Sequence, residues 1–398
     1  MDTNVIEIKN NVFWVGSVDY DLRHFHGHTF STPNGTTYNS YLILDEYPTL
    51  VDGVFGPFTD EWIGKIKSKI EISKIKNLIV NHIEPDHSRS LPELIKINPS
   101  LKIFGTEKCK SGLKKMYGLS NLNFQVVKTG DEINIGQKSL KFVEATMIHW
   151  PDSMFTYCPE EKLLLPNDAF GQHLATKERF DEEVETRKLE HEAQEYYANI
   201  LWPFSGLIKN KIAEIENLGW EIDMIAPSHG LIWKNPGKAF ELYKKWTEGV
   251  TKNKVMIAYE TMWGATEIMA NKFAEGIKAV GVEVKVMDVN KDGKTKIVTE
   301  MLEAKGFMFG SSTHDNGALP NFSGFLHFVK GLRPTNRIGM AFGSFGWGAV
   351  GSGEIEKYMS EAGIAKVMDA MNINFSPDEE ELKKCFEIGK EFGERVKS

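Results

Sequence analysis

The chain has 398 residues, 41% of them hydrophobic, and its 47 basic and 55 acidic residues leave a formal net charge of -8. That length exceeds one ordinary core and predicts two domains, while the mixed charges offer no basic stripe for nucleic acid. Cys109, Cys158 and Cys385 lie far apart with no Cys-x-x-Cys, which excludes a disulfide framework and a fused thiolate iron site. No apolar run approaches the roughly 18 residues of a membrane helix. With no N-terminal basic-then-apolar signal, a cytoplasmic location is expected.

Taken in order, Val5 to Ile8, Val12 to Gly16, Ser40 to Leu44 and Thr49 to Asp52 read as short strands. Their close spacing before any long helix predicts an antiparallel sheet that opens a sandwich. Between them, Arg23-His24-Phe25-His26-Gly27-His28 has the composition of a metal cluster, although on spacing alone a polar surface loop is the simpler explanation. Trp62, Ile63, Ile66 and Ile70 recur at helical spacing and predict a helix over Asp60 to Ile70. It leads to the apolar strand Leu78-Ile79-Val80, which completes a βαβ unit.

The loop that leaves this strand, Asn81-His82-Ile83-Glu84-Pro85-Asp86-His87-Ser88-Arg89-Ser90, concentrates four candidate metal ligands. In an extended loop His82, Glu84 and Asp86 share one side and His87 points away, so one loop can serve two neighbouring ions. Alone, the pattern is more simply explained as a charged turn. Three further apolar runs end in single ligand-type residues, however: Leu140 to Ala145 leads to His149, Leu163 to Leu165 to Asp168, and Met224 to Ala226 to His229. Four imidazoles and three carboxylates suit iron, manganese or zinc rather than copper(I) or an iron-sulfur cluster. Two divalent ions set against Glu84, Asp86, Asp168 and one hydroxide approach neutrality, as a buried site favours, and Asp168 is the natural bridge.

Lys177 to Ile200 is highly charged and then amphipathic, and reads as a solvated helix covering the sheet. A helix around Ala239 to Gly249 runs into the polar link Val250 to Lys254, which divides the chain into domains 1–250 and 251–398. Beyond it, Lys254 to Tyr259, Val282 to Met287, Gly306 to Gly310, Arg337 to Phe342 and Ala365 to Met368 are strands separated by amphipathic stretches. Five βα units predict a doubly wound five-stranded parallel sheet of flavodoxin type, with ligands bound at the strands' carboxyl ends. Three loops there are unusual. Thr261-Met262-Trp263-Gly264-Ala265-Thr266 offers hydroxyls and a helix N-terminus to a phosphate. Ser311-Ser312-Thr313-His314-Asp315-Asn316-Gly317 is small and polar, as recognition of a planar ring edge requires, and Ser344-Phe345-Gly346-Trp347-Gly348 adds close approach and stacking. Together they predict an FMN site.

The ligand order His-x-Glu-x-Asp-His, His, Asp, His resembles the metallo-β-lactamase superfamily, with Glu84 where its zinc hydrolases usually carry a second histidine. That exchange is the mark of the flavodiiron proteins, and His149 to Phe155, Pro166 to Gly171 and Pro227 to Gly230 are similar to the corresponding segments of that family. The resemblance implies an αββα metallo-β-lactamase-like sandwich followed by the flavodoxin-like sheet. One iron would take His82, Glu84 and His149, the other Asp86, His87 and His229, with Asp168 bridging. It further implies a His26 that lies near the diiron site without binding an iron and a Tyr197 that approaches the irons; otherwise Tyr197 is core. Arg89 stands where the family more often has glycine, which alters charge or loop path beside the site. The implied activity is reduction of dioxygen to water or of nitric oxide to nitrous oxide. Electrons would come from rubredoxin or a reduced deazaflavin coenzyme through FMN, in a head-to-tail homodimer or dimer of dimers.

Two rival readings remain at this stage. One is a metallo-β-lactamase-type zinc hydrolase tethered to a flavin domain, because zinc also accepts carboxylate. The other is a flavin electron carrier with structural metals, although seven ligands over two metals leave positions open, unlike closed structural sites. No residue separates dioxygen from nitric oxide, which are similar in size and both bind ferrous iron.

Overall fold

The computed structural model describes residues 4–398. They form two compact units: one comprises the chain up to Tyr196 together with Gly206–Lys244, the other Tyr197–Ser205 with Lys245–Ser398.

The first unit holds two sheets. Ile6–Lys9, Val12–Trp14, Tyr41–Ile43 and Thr49–Val51 pair antiparallel, and Asn77–Ile79, Lys102–Gly105 and Asn123–Val126 continue the same sheet in parallel. The expected βαβ unit is present, with Thr59–Lys69 as its crossover helix. The second sheet runs Glu132–Asn134, Ser139–Glu144, Met154–Cys158, Leu163–Leu165 and Met224–Ile225, antiparallel until its last, parallel pair.

The strands alternate, and the alternation builds the layers. Tyr41, Ile43, Val51 and Ile79 share one core with Phe142, Met154, Leu163 and Leu165 of the second sheet. The intervening Leu42, Leu50 and Leu78 pack instead with Trp62, Ile66, Leu94 and Leu113 of the helices on the outer side. On the far side of the second sheet, Phe155 lies with Ile208, Ile212, Ile215 and Tyr243 from the helices Ser205–Asn217 and Pro236–Thr247. The result is an αββα sandwich. The charged segment from Lys177 holds a short 3-10 turn at Asp181–Glu183 and becomes α-helical only from Thr186 to Tyr196, followed by a widened π turn over Tyr197–Leu201.

The second unit is a parallel sheet in the order Glu283–Asp288, Lys252–Glu260, Ala304–Ser312, Ile338–Phe345, with the last strand in two pieces, Ala365–Lys366 and Met371–Asn374. The expected final strand, Ala365 to Met368, therefore ends early: Asp369 turns out to pair with Lys366, and the ladder resumes at Met371. Helices Ala265–Ala279 and Glu379–Lys397 pack on one face. Their close approach requires glycine, since a Cβ at Gly276 would come within 2.1 Å of the Phe386 carbonyl oxygen and one at Gly389 within 2.2 Å of that of Phe273.

Candidate metal centre and cofactor loops

All four ligand-bearing loops of the first unit leave strand ends. Asn81 to Ser90 follows Asn77–Ile79, Ala145 to Ser153 follows Ser139–Glu144, Pro166 to Gly171 follows Leu163–Leu165, and Ala226 to Gly230 follows Met224–Ile225. The loop after His82 is not extended. Pro85 starts a helical turn, Pro85–Ser88, because its fixed φ suits the first helical position and Glu84 before it is extended. The turn separates Asp86 from His82 and Glu84 and places it beside His87, so the expected sharing of one side by His82, Glu84 and Asp86 is overturned.

Two clusters result, one of His82, Glu84, His149 and Asp168, the other of Asp86, His87 and His229; within each, ligand-type atoms lie no more than 4.8 Å apart. Asp168 faces both. Its Oδ2 lies 3.5 Å from His82 Nε2 and 3.1 Å from His149 Nε2, and its Oδ1 lies 3.0 Å from His87 Nε2 and 3.5 Å from His229 Nε2. Glu84 Oε2 reaches His82 and His149 at 3.3 and 3.5 Å, while Asp86 Oδ2 reaches His87 and His229 at 3.3 and 3.2 Å.

The donor set fits cations. Both carboxylate oxygens of Asp86 and both ring nitrogens of His87 are buried without an aligned hydrogen bond, an arrangement that costs several kcal/mol unless a cation completes it. Burial pushes the His87 imidazolium down, but Asp86 and Asp168 outweigh it and lift its pKa to about 9. Burial likewise pulls the His82 imidazolium down, but its hydrogen bonds to the Asp152 and Glu84 carboxylates outweigh burial and lift its pKa well above the usual value. Glu84 and Asp168 stay well below the usual carboxylate range despite burial, Glu84 through His26 and His82 and Asp168 through His87 and His149.

Supporting groups fix these side chains. Asp152 Oδ2 lies 3.1 Å from His82 Nδ1 and accepts from the Ile83 amide at 2.8 Å. The Thr37 carbonyl lies 2.7 Å from His229 Nδ1, and Ser228 donates to Asp168 Oδ1 at 2.7 Å. Buried Asp52 accepts from the Asn81 amide and side chain at 2.7 and 3.1 Å and from Asn167 at 3.2 Å, tying two ligand loops together. Sequence reading assigned no role to Asp52 or Asp152, though each is an acid beside a ligand loop, and that placement was the available signal.

His26 sits in the turn of the hairpin His24–Phe25 and Phe30–Ser31, with its Nε2 2.9 Å from Glu84 Oε1. It touches the candidate ligand Glu84 although, like His24 and His28, it is exposed. Tyr197 is placed differently from expectation: its hydroxyl pairs with Ser205 at 2.7 Å and its ring lies 5.0 Å from that of Trp246. The residue before it faces the ligands, the Tyr196 ring lying 4.9 Å from His173 and 6.0 Å from His229. His173, also missed, is buried, with Nδ1 2.9 Å from the Thr36 hydroxyl and its ring 5.1 Å from that of His229. Exposed Arg89 lays its side chain over Gly56, where a Cβ would come within 2.8 Å of its Cγ.

In the second unit the three loops converge at the carboxyl edge. The hydroxyls of Thr266, Ser312 and Ser344, one from each loop, lie 3.0 to 3.1 Å apart. Gly264, at φ 90°, caps the helix Ala265–Ala279 and donates to the Thr261 hydroxyl at 3.0 Å. Trp263 is 91% exposed and Trp347 82%. Small hydroxyls over a helix N-terminus, flanked by uncovered aromatic faces, suit a phosphate joined to a planar ring.

Fold and site together define a two-module protein, a β-lactamase-like domain with a dinuclear ligand set joined to a flavodoxin-like domain. The ODP family beta lactamase matches residues 36–230, and the family described as Flavodoxin matches residues 257–389. The nitric oxide reductase of Moorella thermoacetica is 44% identical over 98% of both chains. The anaerobic nitric oxide reductase flavorubredoxin of Escherichia coli is 38% identical over 97% of this chain and 81% of its own. The rubredoxin oxygen:oxidoreductase structure from the anaerobe Desulfovibrio gigas superposes with a TM-score of 0.97 at 34% identity over 99% of each chain. The flavodiiron protein of Giardia intestinalis gives 0.95 at 34% identity, over 100% of this chain and 97% of its own. The chain belongs to the flavodiiron protein family. It is an oxidoreductase whose cofactors are FMN and a diiron centre, which sets aside the zinc hydrolase and the plain electron carrier. No helix among the described residues is long and apolar enough to cross a membrane.

Proposed function

We propose that this protein is a gas reductase that takes dioxygen to water, nitric oxide to nitrous oxide and water, or both, with electrons passing from an external donor through FMN to two irons. The observation that carries the reading is Asp168, whose two oxygens face two separate pairs of histidines. We assign His82, Glu84 and His149 to one iron, Asp86, His87 and His229 to the other, and Asp168 to both. FMN is assigned to 261–266, 311–317 and 344–348. When bound, these cofactors supply single-electron transfer and gas binding.

The chain's own residues orient and shield. Asp152 and the Thr37 carbonyl hold the Nδ1 protons of His82 and His229, so that each presents the Nε2 lone pair to a cation. His26 holds Glu84 Oε1 and leaves Oε2 facing the histidines. Phe25 and Phe30, whose rings lie 4.8 and 5.6 Å from that of His173, exclude water from that flank. The donor is rubredoxin, in line with the name of the Desulfovibrio gigas relative, with a reduced deazaflavin coenzyme as the alternative. The protein acts in the cytoplasm as a head-to-tail homodimer or dimer of dimers, with modules 1–250 and 251–398.

The test is metal and flavin content per chain on protein purified without air. Two irons and one FMN are expected, followed by turnover when dioxygen and nitric oxide compete for the reduced protein. Stoichiometric zinc with little iron, in protein made with iron available, overturns the reading.

A further inference from the structure

Gas reduction consumes protons at a buried centre, one for each electron the donor supplies: four per dioxygen taken to water, two per pair of nitric oxides. The helix Thr186–Tyr196 carries a group suited to bring them in. Glu192 is only 5% exposed, and its carboxylate has a hydrogen-bond partner in the Asn34 side-chain amide, at 2.8 Å. Tyr196 follows four residues later on the same helical face, and its ring abuts His173 and the ligand His229. Asn34 belongs to the loop that two residues on supplies Thr36, whose hydroxyl lies 2.9 Å from His173 Nδ1. Glu192 with Asn34 and Thr36 with His173 are thus two hydrogen-bonded pairs carried by one short stretch of chain, the second beside the rings of Phe25 and Phe30.

The charged groups that bear on Glu192 are Glu195 and Lys188 of its own helix; the loop packed against it contributes only the neutral Asn34. Burial, then Glu195, lift its carboxyl to about 7 against the pull of Lys188 and Asn34, a value suited to proton exchange near neutrality.

We infer that Glu192 loads protons for the metal centre, handing them to the site through the Tyr196 phenol. In each transfer the Glu192 carboxyl gives its proton, by way of water, to the Tyr196 oxygen as the phenol releases its own proton to a reduced oxygen of the substrate. The carboxylate is then reprotonated from solvent. Glu192 undergoes no redox change, and all electrons come from the donor.

The inference rests on the gas-reductase reading, and its test keeps the two apart. Iron- and FMN-loaded wild type, Glu192→Gln and Glu192→Asp are compared by infrared pH titration and by turnover against pH. A protonated-carboxyl band that titrates near neutrality is expected in the wild type and absent from Glu192→Gln. Turnover of Glu192→Gln should fall on the order of 10–100-fold and lack the decline with rising pH through about 7 that is expected of the wild type. Glu192→Asp should recover most of both, with iron and FMN contents unchanged in all three. Wild-type turnover of both gases with Glu192→Gln within about twofold at every pH overturns this inference alone. So does the absence of the titrating band, or an aspartate variant as impaired as the glutamine one. Wild type that turns over neither gas overturns the gas-reductase reading and the inference with it.

Discussion

The two units build their sites from opposite materials. In the first, seven charged or imidazole side chains gather beneath the surface, and His82, Asp168 and His229 among them are oriented by Asp152, Ser228 and the Thr37 carbonyl. In the second, neutral hydroxyls and backbone amides gather at a sheet edge under tryptophans that are 91% and 82% exposed. The difference teaches where each site keeps its specificity. A cation site must prepay the desolvation of its ligands inside the fold, whereas a flavin brings its own apolar surface and is completed by the ring it binds.

The largest effect should come from the shared carboxylate. Asp168→Ala is expected to lower metal affinity by more than about a hundredfold, beyond the range of supporting residues, with FMN content unchanged; metal and flavin analysis on one sample checks both halves. Parallel loss of flavin would break the contrast between the units.

The next prediction compares the two units in pH. Glu192 has a folded pKa raised to about 7 from 4.5. The folded state thus binds more protons, and its contribution is fully present below 4.5 and lost as pH rises to about 7. The upper bound is about 3 kcal/mol, at 1.36 kcal/mol per unit. Glu303 of the second unit behaves oppositely: despite burial, Lys245 and Lys252 depress its pKa, so its contribution is present above 4.5 and lost as pH falls through the depressed value. Denaturation against pH for Glu192→Gln and Glu303→Gln should flatten different limbs, and identical curves would sink the assignment.

A smaller loss is expected for Asp152→Ala, roughly 10–100-fold in metal affinity, read by competition with a chelator. Smallest should be Trp347→Ala, which removes one stacking face worth about 1 kcal/mol, or roughly fivefold in FMN affinity by fluorescence titration. A larger loss than that of Thr266→Val would place the second site's specificity in stacking rather than in the hydroxyl cradle.

Much of this was legible because metal chemistry restricts residue type. His82, Glu84, His149, Asp168 and His229 each stand out as candidate ligands beyond the end of an apolar run, and the strand and helix alternation after residue 251 announces a parallel sheet. What was misread lies one residue or one turn away from what was read. The extended-loop geometry that put Asp86 on one side with His82 and Glu84 fails because Pro85 begins a helical turn, while the grouping of Asp86 with His87 and His229 stands as read. Of the two readings for Tyr197, near the irons or core, its contacts with Ser205 and Trp246 fit core, and the neighbouring Tyr196 is the ring beside His229, a choice that only the local backbone register decides. His173 carries no local pattern: its place beside His229 depends on chain segments far apart in sequence.

Asp52 sets a dimension of the site without touching a cation. By holding the Asn81 and Asn167 loops at once, it makes the spacing between the two ligand-bearing turns a property of the polypeptide. The pocket is therefore gauged before any ion arrives, and a wrong ion must conform to it or leave. Damage at Asp52 should accordingly surface as misloading with foreign metals in a protein that still folds.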